Sequence, residues 1–151
     1  SGRSVMPLYL HTILSFFSCF GFGILFNVEK RTLVLAAVNG AIGWTILMAF
    51  DNTQVSYIFS NLLSALVVGI LAEIFAIVKK TPATGFIVIG VIPLVPGFRV
   101  YRSMLFFVRG DLDKGLTEGV KACFMAIAIA VGIILATSIT RMIRQYINLK
   151  H

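Results

Sequence analysis

Few residues in this chain are of a type that does chemistry, and most of them gather in one stretch. Val91-Ile92-Pro93-Leu94-Val95-Pro96-Gly97 is followed at once by Phe98, Arg99 and Arg102. Each proline removes a backbone donor and clashes with the preceding helical turn. Gly97 tolerates almost any backbone angle. Two prolines and a glycine this close together should break a helix. Arg99 or Arg102 would suit a substrate carboxylate, because a guanidinium offers paired donors that match it. The competing expectation for Arg102 is snorkelling to lipid headgroups. Glu73 is the second candidate. It precedes Lys79 by six residues, about 9 Å along a helix, inside an otherwise apolar run. A carboxylate there would carry a proton or balance a cation, or pair with Lys79, Lys80 or a base on a neighbouring helix. Asn39 stands beside Gly40 within one apolar run, and Asn61 opens the core of the next. Either would line a cavity or make interhelical hydrogen bonds.

Other chemistry lacks its residues. Cys19 and Cys123 read as buried free thiols, since free cysteine behaves as a small hydrophobe. His11 and His151 give no metal-ligand spacing, and His151 reads as part of a tag. No Ser–His–Asp set, phosphate loop, zinc-protease motif or dinucleotide fingerprint is present. No catalytic residue, metal or cofactor is expected, and an intramembrane enzyme is set aside.

These candidates must be held by elements that the composition identifies. The 151 residues are 58% hydrophobic and 13% charged, with mean hydropathy +0.96. Soluble domains run nearer half apolar and a quarter charged. Thirteen basic and six acidic residues give a net charge of +7. That excess alone would fit nucleic acid, but its placement excludes it. Residues 4–28, 32–50, 52–72, 81–98 and 122–140 contain no Asp, Glu, Lys or Arg. A bilayer core about 30 Å thick needs roughly 20 apolar helical residues to cross it. The runs do not alternate as barrel strands would. The expected fold is all-α: one polytopic transmembrane domain over residues 1–151. Its five spans lie at about 8–26, 32–50, 55–78, 83–108 and 119–142, with the fourth broken at 93–97 near the bilayer midplane. Irregular backbone at that depth is tolerated only against protein or a water-filled cavity, as in secondary transporters. Ser1 to Val5 have the composition of a tag remnant ahead of Met6, and the first span reads as retained, without a clear signal cleavage site.

Basic residues in short loops mark the cytoplasmic side. Lys30, Arg31, Lys79, Lys80, Arg141, Arg144 and Lys150 would then lie inside, with the N-terminus outside and the C-terminus cytoplasmic. Arg102, Arg109 and Lys114 fall on the outer side of this arrangement. In the alternative, span 4 turns back without crossing. Small residues recur four apart at Ala128, Gly132 and Ala136, at Ala122, Ala126 and Ala130, at Ala36 and Gly40, and at Ala65 and Gly69. Such stripes let helix backbones approach closely in lipid. Pro82 suits a first helical turn with Thr81 as its cap. Residues 109–115 read as a loop, with Asp113 or Thr117 capping the next helix and Glu118 near its positive end.

Several motifs carry a family resemblance. They are Gly21-Phe22-Gly23-Ile24-Leu25-Phe26-Asn27-Val28 with Arg31, Gly40-Ala41-Ile42-Gly43-Trp44, Lys80-Thr81-Pro82-Ala83-Thr84, and the stretch from Val91 to Gly97 with Tyr101 and Arg102. In this order they resemble the threonine/serine exporter family of bacteria, in its short form that corresponds to the second half of the longer exporters. The resemblance implies proton-driven export of threonine and serine across the bacterial inner membrane, by a chain that works with a larger membrane subunit or with copies of itself. Related split systems resemble exporters of dicarboxylates such as succinate. Phe98 and Arg99 stand where small residues are expected after the Pro-Gly pair, which leaves an anionic solute open. The candidate substrate-binding set is Pro93, Pro96, Gly97, Arg99, Tyr101, Arg102 and Asn39, with Glu73 for proton coupling. The expected partners are lipid, the second subunit and a small carboxylate solute. The rivals are a structural or assembly protein of the membrane, and a channel.

Overall fold

The computed structural model describes residues 6–51 and 53–150. The tag-remnant reading of the first five residues and the reading of His151 lie outside the described residues. Among the described residues every regular element is helical. Helix α1 is Leu8–Leu25, α2 is Lys30–Asp51, α3 is Tyr57–Lys79 and α4 is Thr84–Val91. A 3₁₀ turn at Ile92–Leu94 follows, then α5 at Gly97–Val108 and α6 at Leu112–Leu149. Helices α1, α2, α3 and α6 are each long and apolar enough to cross a membrane. Thr84–Leu94 and Gly97–Val108 form a pair bent by 47°, and count as a fifth span if taken together.

The helix ends follow local chemistry. Pro7, in extended conformation, precedes α1. Asn27 ends it with φ of 58°, and the Val28 N–H bonds back to the Gly23 carbonyl. Lys80 closes α3 in the same left-handed way, with the Thr81 N–H on the Ala76 carbonyl. These are the 6→1 bonds that satisfy orphan carbonyls at helix C-termini. Two expected caps differ. Ala83 precedes α4 without any side-chain cap, and the Thr81 hydroxyl finds no partner among the described residues. Helix α6 starts three residues into the stretch read as a loop. Its cap is Asp111, whose carboxylate accepts from the Lys114 N–H at 3.2 Å and from Lys114 Nζ at 2.7 Å. Those bonds hold the Asp111 carboxyl below the usual carboxylate range. The segment from Leu112 to Glu118 and span 5 are thus one helix of 38 residues, about 57 Å long.

Packing follows the small residues. Helices α3 and α6 run parallel: Gly132 faces Leu62 and Ala65, and Gly69 faces Ala136. Helices α1 and α2 are antiparallel, with Gly23 against Leu33, Cys19 against Gly40, and a Thr12–Thr45 hydroxyl pair at 2.7 Å. Helix α4 returns along α3, with Phe86 on Phe75 and Gly90 on Val68. Helix α5 then carries the chain onward, against the first turns of α6. Of the expected stripes, Ala128–Gly132–Ala136 is buried, whereas Ala126 and Ala130 are exposed. The second stripe is split: Ala122 is buried, while its continuation through Ala126 and Ala130 faces away from this chain's core.

Candidate functional site

The break between α4 and α5 borders a cavity. Pro93 and Pro96 remove the donors that would have bonded the carbonyls of Ile89 and Ile92. The chain leaves helical geometry at Val95 (ψ 131°) and Pro96 (ψ 46°), and the Gly97 N–H bonds to the Val95 carbonyl at 2.8 Å. Beside this corner lies a cavity of about 310 Å³, at the small end of ligand pockets. Its walls come from the end of α2 (Trp44, Leu47, Asp51), the start of α3 (Tyr57, Ser60, Asn61) and the break itself. The break therefore sits nearer the α2–α3 turn than the middle of the bundle.

Arg99 is the charged centre of this cavity. Its guanidinium lies 5.4 Å from the centre of the Tyr57 ring, and Nη1 donates to Glu118 Oε2 at 3.1 Å. Glu118 is buried, at 8% exposure, and its other oxygen is 4.0 Å from Lys121 Nζ. The Ser103 hydroxyl donates to the Gly115 carbonyl and fixes α5 on α6 one turn further on. Asp51 supplies the one carboxylate in the lining, and Asn61 a buried amide. Asn61 Nδ2 donates to the Tyr57 carbonyl at 2.7 Å, while its Oδ1 has no partner among the described residues.

The structure brings together only part of the expected set. Pro93, Pro96 and Arg99 line the cavity. Gly97 does not, and it opens α5 without a left-handed angle and with open space where a Cβ would stand. Tyr101 lies on the outer face of α5, 59% exposed. Arg102 stacks on Phe98 and Phe106 and borders a separate, smaller hollow with Glu118 and Asp113. Asn39 is also outside the lining. It is fully buried, and its Nδ2 donates to the carbonyls of Val68 at 3.1 Å and Phe86 at 3.3 Å, clamping α2 to α3 and α4. Gly90 makes room for that amide: a Cβ there would stand 2.8 Å from Asn39 Nδ2.

Glu73 lies at the opposite end of the bundle. It is half-buried in a cleft shared with Lys80, Thr81 and Arg144, and it forms no ion pair among the described residues. Sequence reasoning passed over Trp44, Asp51, Tyr57 and Glu118 as site residues. The signal for Asp51 and Tyr57 was their position at the two ends of the α2–α3 connection, which places them at one level. Trp44 and Pro93 also line a second cavity, on the α1 side, together with His11 and Ser15. The His11 and Trp44 rings are 6.3 Å apart.

Comparison with known proteins places this geometry in context. Residues 11–139 match the family described as "Threonine/Serine exporter, ThrE". A protein of Mycobacterium tuberculosis (strain ATCC 25618 / H37Rv) named "Probable threonine/serine exporter" is 26% identical over 106 residues. The aligned part covers 70% of this chain and 20% of that protein, so the chain spans about a fifth of that relative's length. No solved structure matches.

Proposed function

This chain belongs to the threonine/serine exporter family, and on that premise we propose that it is the membrane-embedded subunit of a secondary exporter whose solute enters the cavity at the α4–α5 break. The family is one of transporters, not of enzymes. The solute is threonine, serine or a related small carboxylate. The observation that supports this reading most directly is a cavity of solute size beside a broken span, with Arg99 in its wall. Guanidinium donors not engaged by Glu118 take the carboxylate. Exchange between the two sides comes from rocking against a partner half. A larger membrane subunit supplies that half. The apolar side chains that α5 and α6 expose, Phe98, Met104, Val108 and Leu112, support it.

The end of the bundle that carries Glu73 also holds Lys30, Arg31, Lys79, Lys80, Arg141, Arg144 and Lys150. By the positive-inside rule it is cytoplasmic in this reading, with the N-terminus outside and the C-terminus inside the cell. Glu73 is the proton-coupling group, a half-buried carboxylate without an ion pair among the described residues. The test is flux of labelled threonine, serine and succinate across membrane vesicles with and without the chain, before and after a protonophore. The expected result is chain-dependent flux that the protonophore abolishes. No chain-dependent flux of any of the three rejects the reading. Glu73→Gln should flatten the pH dependence of flux, and full retention of that dependence removes Glu73 from the coupling role.

A further inference from the structure

We infer that Asp51 and Asn61 select the solute, a zwitterionic hydroxy amino acid whose ammonium meets Asp51, whose carboxylate meets Arg99 and whose hydroxyl donates to Asn61 Oδ1. The inference rests on the transport reading above and narrows it to one chemistry. Its first ground is charge. The cavity wall holds one carboxylate and one guanidinium, Asp51 from α2 and Arg99 from α5. No ion pair joins them among the described residues, because Arg99 turns Nη1 to Glu118. Asp51 thus faces the cavity without an ion pair among the described residues, and Arg99 keeps further donors in its fork. An amino acid brings one charge of each sign to these two groups. A dicarboxylate brings a second negative charge toward Asp51 and Glu118, with only Arg99 to receive it. Like-charge juxtaposition of that kind is how a site rejects a wrong partner.

The second ground is Asn61. It is 1% exposed, it borders the cavity, and its amide oxygen has no donor among the described residues. A buried acceptor without a donor costs free energy, and a ligand hydroxyl that donates to it recovers that cost. A ligand without the hydroxyl leaves the cost in place, so such a site discriminates more sharply than an apolar pocket does. The remaining wall near Asn61 is apolar, from Leu47, Pro93 and Leu94, and suits the short carbon skeleton of serine or threonine.

The test is competition against labelled serine in native membrane vesicles that hold the chain. Unlabelled alanine, which lacks the hydroxyl, should need about tenfold more than serine for equal inhibition. Succinate should compete no better than alanine. In Asn61→Leu the serine-to-alanine ratio should fall to near one. In Asp51→Asn the preference for serine over 3-hydroxypropanoate, which lacks the ammonium, should fall about tenfold. Asp51 is exposed at a helix end, so its variant keeps the test decisive if Asn61→Leu fails to reach the membrane. Unchanged ratios in the variants, or succinate competing as well as serine in the wild type, overturn this inference and leave the transport reading standing. Absence of chain-dependent serine flux overturns both.

Discussion

A single methyl group at Gly132 should loosen the contact on which the bundle depends. Gly132 lies on the buried face of α6, and a Cβ there would stand 2.6 Å from the Leu62 carbonyl oxygen, 2.8 Å from Ala65 Cβ and 3.0 Å from the Leu66 nitrogen. Two of these three atoms are backbone, so no rotamer change relieves the clash and α3 itself must move. Overpacking of this kind costs about 1–3 kcal/mol, or roughly a 5- to 150-fold loss in the population of the packed bundle. For a chain of this size that corresponds to a melting midpoint lower by about 2–12 °C. Cys19 provides the readout, because it is fully buried while Cys123 is exposed. In a Cys123→Ser background, a thiol-reactive dye should label Cys19 only as the detergent-solubilised bundle opens on heating. Gly132→Ala should shift that transition down. Gly21→Ala, with nothing within 4 Å of its Cβ, should not. A Gly132→Ala transition within about 1 °C of the wild type would refute the claim that α3 and α6 meet at their backbones.

Other perturbations probe single contacts. Asn39→Leu removes both carbonyl bonds that tie α2 to α3 and α4, and should lower the same transition by an amount equivalent to about 1–2 kcal/mol, since interhelical bonds in membranes average roughly 0.6 each and the leucine must also fit beside Gly90. A double-mutant cycle on Arg99 and Glu118 should give a coupling of about 1 kcal/mol, because Arg99 remains 31% exposed and solvent screens the pair. The start of α6 should respond to acid. Asp111 has its pKa depressed by the Lys114 bonds, so its contribution is complete above the unfolded-state pKa and fades as pH falls through the lower folded value. Amide exchange at Lys114 should therefore lose protection from about pH 4 downward, while Ile129 in the core keeps it. Asp111→Asn should remove that acid-dependent step.

Much of the architecture was legible because charge-free runs of membrane length admit few folds. Helices α1 to α3 begin and end within two residues of the expected bounds. The break was legible for a chemical reason, since two prolines delete two helix donors whatever surrounds them. The freedom of Gly97 goes unused: the chain turns at Val95 and Pro96, and Gly97 is already helical. Helix α6 runs past the expected span 5 at both ends, because absence of charge marks hydrocarbon, not helix, and the mixed segment Asp113 to Lys121 is helical too. The cavity was only half legible. Pro93, Pro96 and Arg99 announce themselves by type. Asp51 and Tyr57 are ordinary helix-end residues until the α2–α3 turn sets them opposite the break, and the Arg99–Glu118 pair depends on an α5–α6 angle that no local pattern encodes.

The length of α6 has a mechanical meaning. The one rod touches Arg99 through Glu118 and borders the Glu73 cleft through Arg144. Those two points are about 39 Å apart along its axis. A tilt of roughly 5° about one of them sweeps the other through about 3 Å, the width of a hydrogen bond. On the proposed transport reading, a stiff lever of this reach would let the loading of one chamber be felt at the other without any wire of intervening side chains.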